Sequence, residues 1–343
     1  MASKIANDMR LDPRIRAALG AFDVGAGKDV ATREEMIAEM NSAEAAATNK
    51  MIEALMESFD NEDVAPSAGL RTSVEEMASQ PDGNTIKIRF VRPDNDARLP
   101  CVYYIHGGGM AMSSAFNGNY RAWARMIAGR GVAVAMVEFR NSVVASSLPE
   151  VAPFPAGLND CVSGLKWVIA NAATLNIDTR RVIVAGESGG GNLTLAVGLK
   201  LKQDGEMGLI KGLYALCPYI AGHWPLPEHP SSTENEGILL NLHNNRGKMS
   251  YGVGAFEAKN PLAWPSFATV DDVKGFVPTV ISVNECDPLR DEGIAFYRLL
   301  LSAGVAARCR QVMGTTHGIE ILPPVCPDIS RDTAADIANF AMD

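Results

Sequence analysis

The sequence predicts an α/β fold, a mostly parallel central sheet flanked by helices. Two observations carry this. From residue 101 onward, short apolar runs alternate with helix-period segments, strand then helix then strand, as a parallel sheet with helical crossovers requires. The runs are apolar at consecutive positions, Val182-Ile183-Val184-Ala185 among them, which suits strands covered on both faces. With 343 residues, 47% hydrophobic and 21% charged, the chain can bury a sizeable core in one large domain or two average ones.

Residues 12–60 read as helical. Thr32 is placed to cap a helix, Glu35 takes the capping-box position, and Met36, Ile37, Met40, Met51, Ile52, Leu55, Met56 and Phe59 supply an apolar face. The stretch Pro66-Ser67-Ala68-Gly69 ends this region. Alternating segments at 70–77 and 85–91, parted by Pro81-Asp82-Gly83-Asn84, predict a β-hairpin that gives the sheet an antiparallel edge. Strands are then expected at 101–105, 132–139, 181–185, 212–217, 279–283 and 306–312. Helices are expected at 120–128, 158–172, 193–202, 294–301 and 333–342. Residues 219–275, rich in Pro, Gly and Asn and carrying Trp224 and Trp264, break the rhythm. A segment that long inside a compact domain suits a lid or binding element better than a plain loop.

The net charge of -9 argues against a nucleic-acid partner, which calls for a basic patch. No run approaches the roughly 18 apolar residues of a membrane span. The first residues mix Lys4, Asp8, Arg10, Asp12, Arg14 and Arg16 without an apolar signal core, so secretion by that route is not expected. Six scattered cysteines (101, 161, 217, 286, 309 and 326) form no Cys-x-x-Cys pair. They read as free thiols of a cytoplasmic protein that needs no metal and no cofactor.

The chemistry begins where the run at 182–185 stops at Gly186-Glu187-Ser188-Gly189-Gly190-Gly191-Asn192 and a helix follows. Strand, tight turn, helix is the order that lifts a serine hydroxyl above a sheet. A serine nucleophile needs a base for its proton and donors for the developing oxyanion. Donors are offered by His106-Gly107-Gly108-Gly109, where a buried strand runs into bare backbone. Of five histidines, His106 belongs to that turn, and His223, His229 and His243 fall in the irregular section in no metal-binding pattern. His317, in a loop after the last expected strand, is the best base. Asp287, at a loop start after another strand, is the candidate acid, with Glu285 and Asp291 as competitors. A helix-cap role suits Asp291 better. The chain order is Ser188, Asp287, His317.

These segments, with Asp287-Pro288-Leu289-Arg290-Asp291-Glu292-Gly293, Thr316-His317-Gly318 and the stretch from Pro149 to Asp160, resemble the hormone-sensitive lipase family of carboxylesterases, within the α/β-hydrolase fold. The resemblance implies Ser188 as nucleophile, His317 as base and Asp287 as its orienter. It implies an oxyanion hole from the N–H groups of Gly108, Gly109 and Gly189. It also implies a mainly helical cap from residues 1–60 and 219–265 over a catalytic domain of 61–218 and 266–343. Two neighbours of the serine depart from the family pattern: Glu187 replaces its usual Asp and Gly189 its usual Ala. Phe139-Arg140-Asn141-Ser142 replaces the more frequent Tyr-Arg-Leu-Ala-Pro.

The expected reaction is hydrolysis of short- to medium-chain esters, with a small-molecule ester as partner and an acyl-enzyme intermediate. Met110 and Met112, directly after the oxyanion turn, and Trp224 are the substrate-binding candidates, with Trp264, Met51 and Met56 behind them. A homodimer is implied by the resemblance alone. The alternatives are a non-hydrolytic lyase or dehydratase, or a small-molecule receptor. Receptors on this fold typically lose the histidine that this chain keeps.

Overall fold

The N-terminal segment forms four helices, α1 (Lys4–Asn7), α2 (Pro13–Leu19), α3 (Arg33–Met40) and α4 (Ala43–Ser58), in a computed structural model that describes residues 3–22, 25 and 27–343. Thr32 caps α3 by accepting from Glu35 N. The Glu35 carboxylate reaches back to Ala31 N, one residue before the usual capping-box donor. The predicted hairpin is β1 (Leu70–Ala78) and β2 (Thr85–Pro93), paired antiparallel.

The alternating part follows in chain order: β3 (Leu99–Ile105), α5 (Gly118–Ala128), β4 (Ala133–Glu138), α6 (Ala156–Ala170), α7 (Ala172–Leu175), β5 (Ile177–Glu187), α8 (Gly189–Gln203) and β6 (Gly212–Leu216). Four short helices, α9 (Ser231–Glu234), α10 (Arg246–Tyr251), α11 (Val253–Glu257) and α12 (Val270–Val273), fill the irregular section. The chain closes with β7 (Thr279–Asn284), α13 (Arg290–Ser302), β8 (Ala307–Val312) and α14 (Pro327–Met342). The strands form one sheet in the order β1-β2-β4-β3-β5-β6-β7-β8, parallel from β4 to β8 and antiparallel at the hairpin edge.

Alternate strand residues point to opposite faces and both faces are buried. Cys101, Tyr103, Val182 and Val184 pack with α6, α8 and α13, whereas Val102, Tyr104, Ile183 and Ala185 pack with α5 and α14. This explains why the strands read as unbroken apolar runs. A separate cluster joins Ile15, Leu19 and Phe59 of the N-terminal region to Ile238, Ile319 and Leu322, which brings the first helices over the loop that follows β8. Among the described residues no helix is long and apolar enough to cross a membrane.

Candidate active site

Loops leaving the C-terminal ends of β5, β7 and β8 meet in one crevice, the usual place for a site in a parallel sheet. After β5 the loop is a single residue. Ser188 takes φ 58° and ψ -119°, a strained left-handed conformation for a side-chain-bearing residue. The adjoining glycines make it feasible. A Cβ on Gly186 would lie 2.5 Å from Gly190 O, and one on Gly190 only 2.0 Å from Ile105 O, so α8 can start against β3 and β5 only because both are bare. Ser188 N donates to Leu216 O, and Ser188 O accepts from Tyr219 N, each at 3.0 Å.

His317 lies after β8, with Nδ1 2.7 Å from Oδ2 of the fully buried Asp287. The other Asp287 oxygen accepts from Leu289 N at 2.9 Å. Cross-bonds keep these two loops in register: Cys286 N to Thr315 O at 2.9 Å, Gly314 N to Glu285 Oε2 at 2.7 Å, and Asn284 Nδ2 to Thr315 Oγ1 at 2.9 Å. Of the competing carboxylates, Glu285 is therefore occupied by Gly314, and Asp291 by Ser231 N and Arg290. Burial is the largest single influence on the His317 pKa and pulls it down, while the Asp287 carboxylate and then the Cys217 side chain together pull it up, so the net shift is upward.

No hydrogen bond closes Ser188 Oγ onto His317 in this arrangement; such contacts tighten when substrate binds. The near neighbour of His317 is Cys217, a fully buried residue just past β6 at φ 32°. Burial pushes its thiol up to about 11, so it stays neutral. Cys217, Asp287 and His317 are the one group of three potential metal ligands among the described residues, with donor atoms within 4.8 Å of one another. Asp287 and His317 are committed to each other and the thiol keeps its proton. The trio therefore reads as a hydrogen-bonded His–Asp pair with a neutral thiol beside it and not as a built metal site.

The glycine turn after β3 presents free backbone N–H groups beside the same crevice. Gly108 (φ 103°) and Gly109 (φ 63°) occupy backbone conformations that favour glycine, and their N–H groups have no partner among the described residues. Gly189, first in α8, has an N–H without an intrahelical acceptor. A Cβ at Gly189 would stand 2.6 Å from Met110 N and 2.8 Å from Gly109 N. The family's alanine would thus press on the oxyanion turn, which gives the glycine a steric reason. His106 stacks on Phe139 at 4.3 Å and makes no contact with the base.

Glu187, the other departure, anchors the same turn. Its carboxylate accepts from Gly107 N at 2.6 Å, Tyr120 Oη at 2.5 Å and Tyr104 Oη at 2.6 Å, and burial pushes its pKa up to about 7. The extra methylene lets it reach across to the turn. Glu187→Ala is expected to lower kcat about 10- to 100-fold, by loosening the oxyanion donors, with KM changed less than about threefold. Steady-state kinetics on a p-nitrophenyl ester check this; an unchanged kcat would reduce Glu187 to a packing role.

Ser188, His317, Gly108, Gly109 and Met112 line a cavity of about 890 Å³, walled on one side by Leu19, Met56, Phe59, Leu239 and Leu322. Two candidates for substrate contact are corrected. Met110 does not line it: at φ 58° the chain turns its side chain down into the main core, 1% exposed. Trp224 does not line it either. Its indole stacks behind Tyr219 at 4.7 Å, and its Nε1 donates to the buried Glu292 at 2.6 Å. Met56 reaches the cavity, whereas Met51 is 67% exposed and Trp264 is buried in the core.

Sequence reading missed Cys217, Tyr219 and the tyrosines that hold Glu187. For Tyr104 a signal existed: a phenol in a fully buried strand needs a hydrogen-bond partner, and the nearest polar position on a neighbouring strand end is Glu187.

Comparison with known proteins adds an independent line. A family model described as the alpha/beta hydrolase fold matches residues 102–321. The solved structure of esterase Est22 is 64% identical and superimposes with a TM-score of 0.98 over 99% of both chains. Brefeldin A esterase, described as a bacterial homologue of human hormone-sensitive lipase, is 34% identical with a TM-score of 0.85, covering 97% of this chain and 94% of its own. Carboxylesterase NlhH of Mycobacterium tuberculosis is 29% identical over 77% of this chain and 81% of its own length.

Proposed function

The chain belongs to the α/β-hydrolase fold family and is a carboxylic ester hydrolase, and from that premise we propose that it acts on short- to medium-chain esters through an acyl-enzyme on Ser188. The observation that carries the assignment of roles is the 2.7 Å bond from buried Asp287 to His317, which stands in one cavity wall with Ser188 and the glycine turn with its free N–H groups. Ser188 Oγ attacks the ester carbonyl while His317 Nε2 takes its proton. The N–H groups of Gly108, Gly109 and Gly189 receive the oxyanion, and His317 returns the proton to the departing alcohol. Water then releases the acid by the same path.

Residues 1–60 and 219–265 act in this reading as the cap over a catalytic domain of 61–218 and 266–343. Leu19, Met56 and Phe59 from the first segment and Leu239 from the second support it, since all four line the cavity. Six unpaired cysteines suit a reducing compartment, and we read the cytoplasm as the location. For a homodimer the chain offers only its family likeness.

The substrate range is tested by kcat/KM over p-nitrophenyl esters of rising acyl length. A cavity of about 890 Å³ holds a ligand of modest size. The expected optimum lies at about four to eight carbons, with a decline of at least about tenfold by 16 carbons. A profile that keeps rising to long chains would overturn the short- to medium-chain assignment.

A further inference from the structure

Asn119 stands in the cavity wall with the oxygen of its side-chain amide unpaired. It is the second residue of α5 and 2% exposed, and its Oδ1 is buried without a hydrogen-bond partner. Among the described residues it is the only member of the cavity wall with such an orphaned side-chain atom. Polar groups at the adjoining positions of the chain are already occupied. Ser114 Oγ donates to Glu138 at 2.9 Å, Glu57 accepts from Gly118 N at 3.0 Å, and Tyr120 Oη donates to Glu187 at 2.5 Å. A buried polar group without a partner is costly and calls for a reason.

We infer that Asn119 is a specificity-determining residue that selects esters carrying a hydroxyl group within reach of the scissile carbonyl. The inference rests on the esterase reading above and deepens it. The orphaned atom is an acceptor, so its complement must donate. The other end of the amide donates, so the best complement also accepts. A hydroxyl does both from one oxygen, whereas a carbonyl or ether cannot donate. The terminal torsion of asparagine is broad, so either end of the amide can turn toward the cavity. A site that holds such a group rejects an analogue lacking the hydroxyl, because the protein's own polar group is then left unpaired.

The test compares kcat/KM for ethyl butanoate, ethyl 3-hydroxybutanoate and 2-hydroxyethyl butanoate in the native chain, Asn119→Leu and Asn119→Ala. The expected result is that one hydroxylated ester, in whichever half of the substrate lies toward Asn119, is favoured about tenfold over ethyl butanoate by the native chain. In both variants that ratio falls to about one. Because the readout is a ratio within each variant, a general loss of folded enzyme cancels. Equal rates for the three esters in the native chain, or a hydroxyl preference that survives in both variants, would overturn the inference. No turnover of any of them by the native chain would bring down the esterase reading itself.

Discussion

Ser188→Ala is expected to lower kcat for a p-nitrophenyl ester by about 10⁴- to 10⁶-fold while the protein stays folded. The loss is large because the proposed mechanism runs through a covalent bond to Oγ, and no other serine of the cavity wall sits on the elbow between β5 and α8. Cys217 lies beside His317, but its thiol is buried and pushed up to about 11, so almost none is thiolate at neutral pH. The fold should not suffer. Alanine also carries a Cβ, so the φ of 58° is no more strained than before, and Oγ makes no hydrogen bond that the substitution removes. Thermal unfolding should therefore shift by no more than about 2 °C. A fluorophosphonate that adds mass to the native chain at Ser188 and not to the variant gives the complementary check. Retention of more than about 1% of kcat would remove Ser188 from the mechanism.

The same elbow shows what a sequence reveals and what it hides. The order of strands and helices could be read because the sheet is buried on both faces, so each strand appears as an unbroken apolar run. The start of α8 could not. Gly189-Gly190-Gly191 looks like a loop, since glycine disfavours helix, yet the structure begins the helix at Gly189. Close packing against β3 decides it: with Gly190 at 2.0 Å from Ile105 O by its missing Cβ, only glycine helix fits there. The short helices α9 to α12 went unread for a different reason. Elements of four to six residues are too short to show a period and exist through tertiary contacts.

Within the site, the three residues of the proposed triad could be picked out because each sits in a loop directly after a strand, and loops after parallel strands share one edge of the sheet. Side-chain direction could not be read the same way. Met110 and Met112 are equally close to the oxyanion turn in sequence, but a positive φ at 110 sends one into the core and leaves the other in the cavity. Trp224 is a substrate-binding candidate on sequence, whereas its indole N–H is drawn to Glu292, a carboxylate distant in sequence that burial pushes up to about 8. Partners brought together only by the fold, such as Tyr104 and Glu187, leave at most one half of a signal.

Asp287→Asn is expected to lower kcat about 10³- to 10⁴-fold, although the two side chains have nearly the same shape. The reason lies in the second bond of the carboxylate. Leu289 N donates to Oδ1 at 2.9 Å, so that position must remain an acceptor, and the amide oxygen of the variant takes it. The amide nitrogen then falls where Oδ2 had been, 2.7 Å from His317 Nδ1, and donates to it. Nδ1 becomes the acceptor and the ring proton moves to Nε2, which can no longer take the proton of Ser188. The pH profile should move as well. In the native chain Asp287, with a smaller share from Cys217, holds the His317 pKa above its ordinary value, and a general base works only when neutral, so kcat/KM should rise as pH passes up through that raised pKa. Without the carboxylate, burial is the main remaining influence and pulls the pKa down, so the residual activity of the variant should reach its plateau at lower pH. A loss of less than about tenfold together with an unmoved acid limb would show that His317 is oriented by something other than Asp287. A large loss with an unmoved limb would keep Asp287 as an orienting group but deny it the charge effect. The two readouts therefore separate the tautomer argument from the electrostatic one.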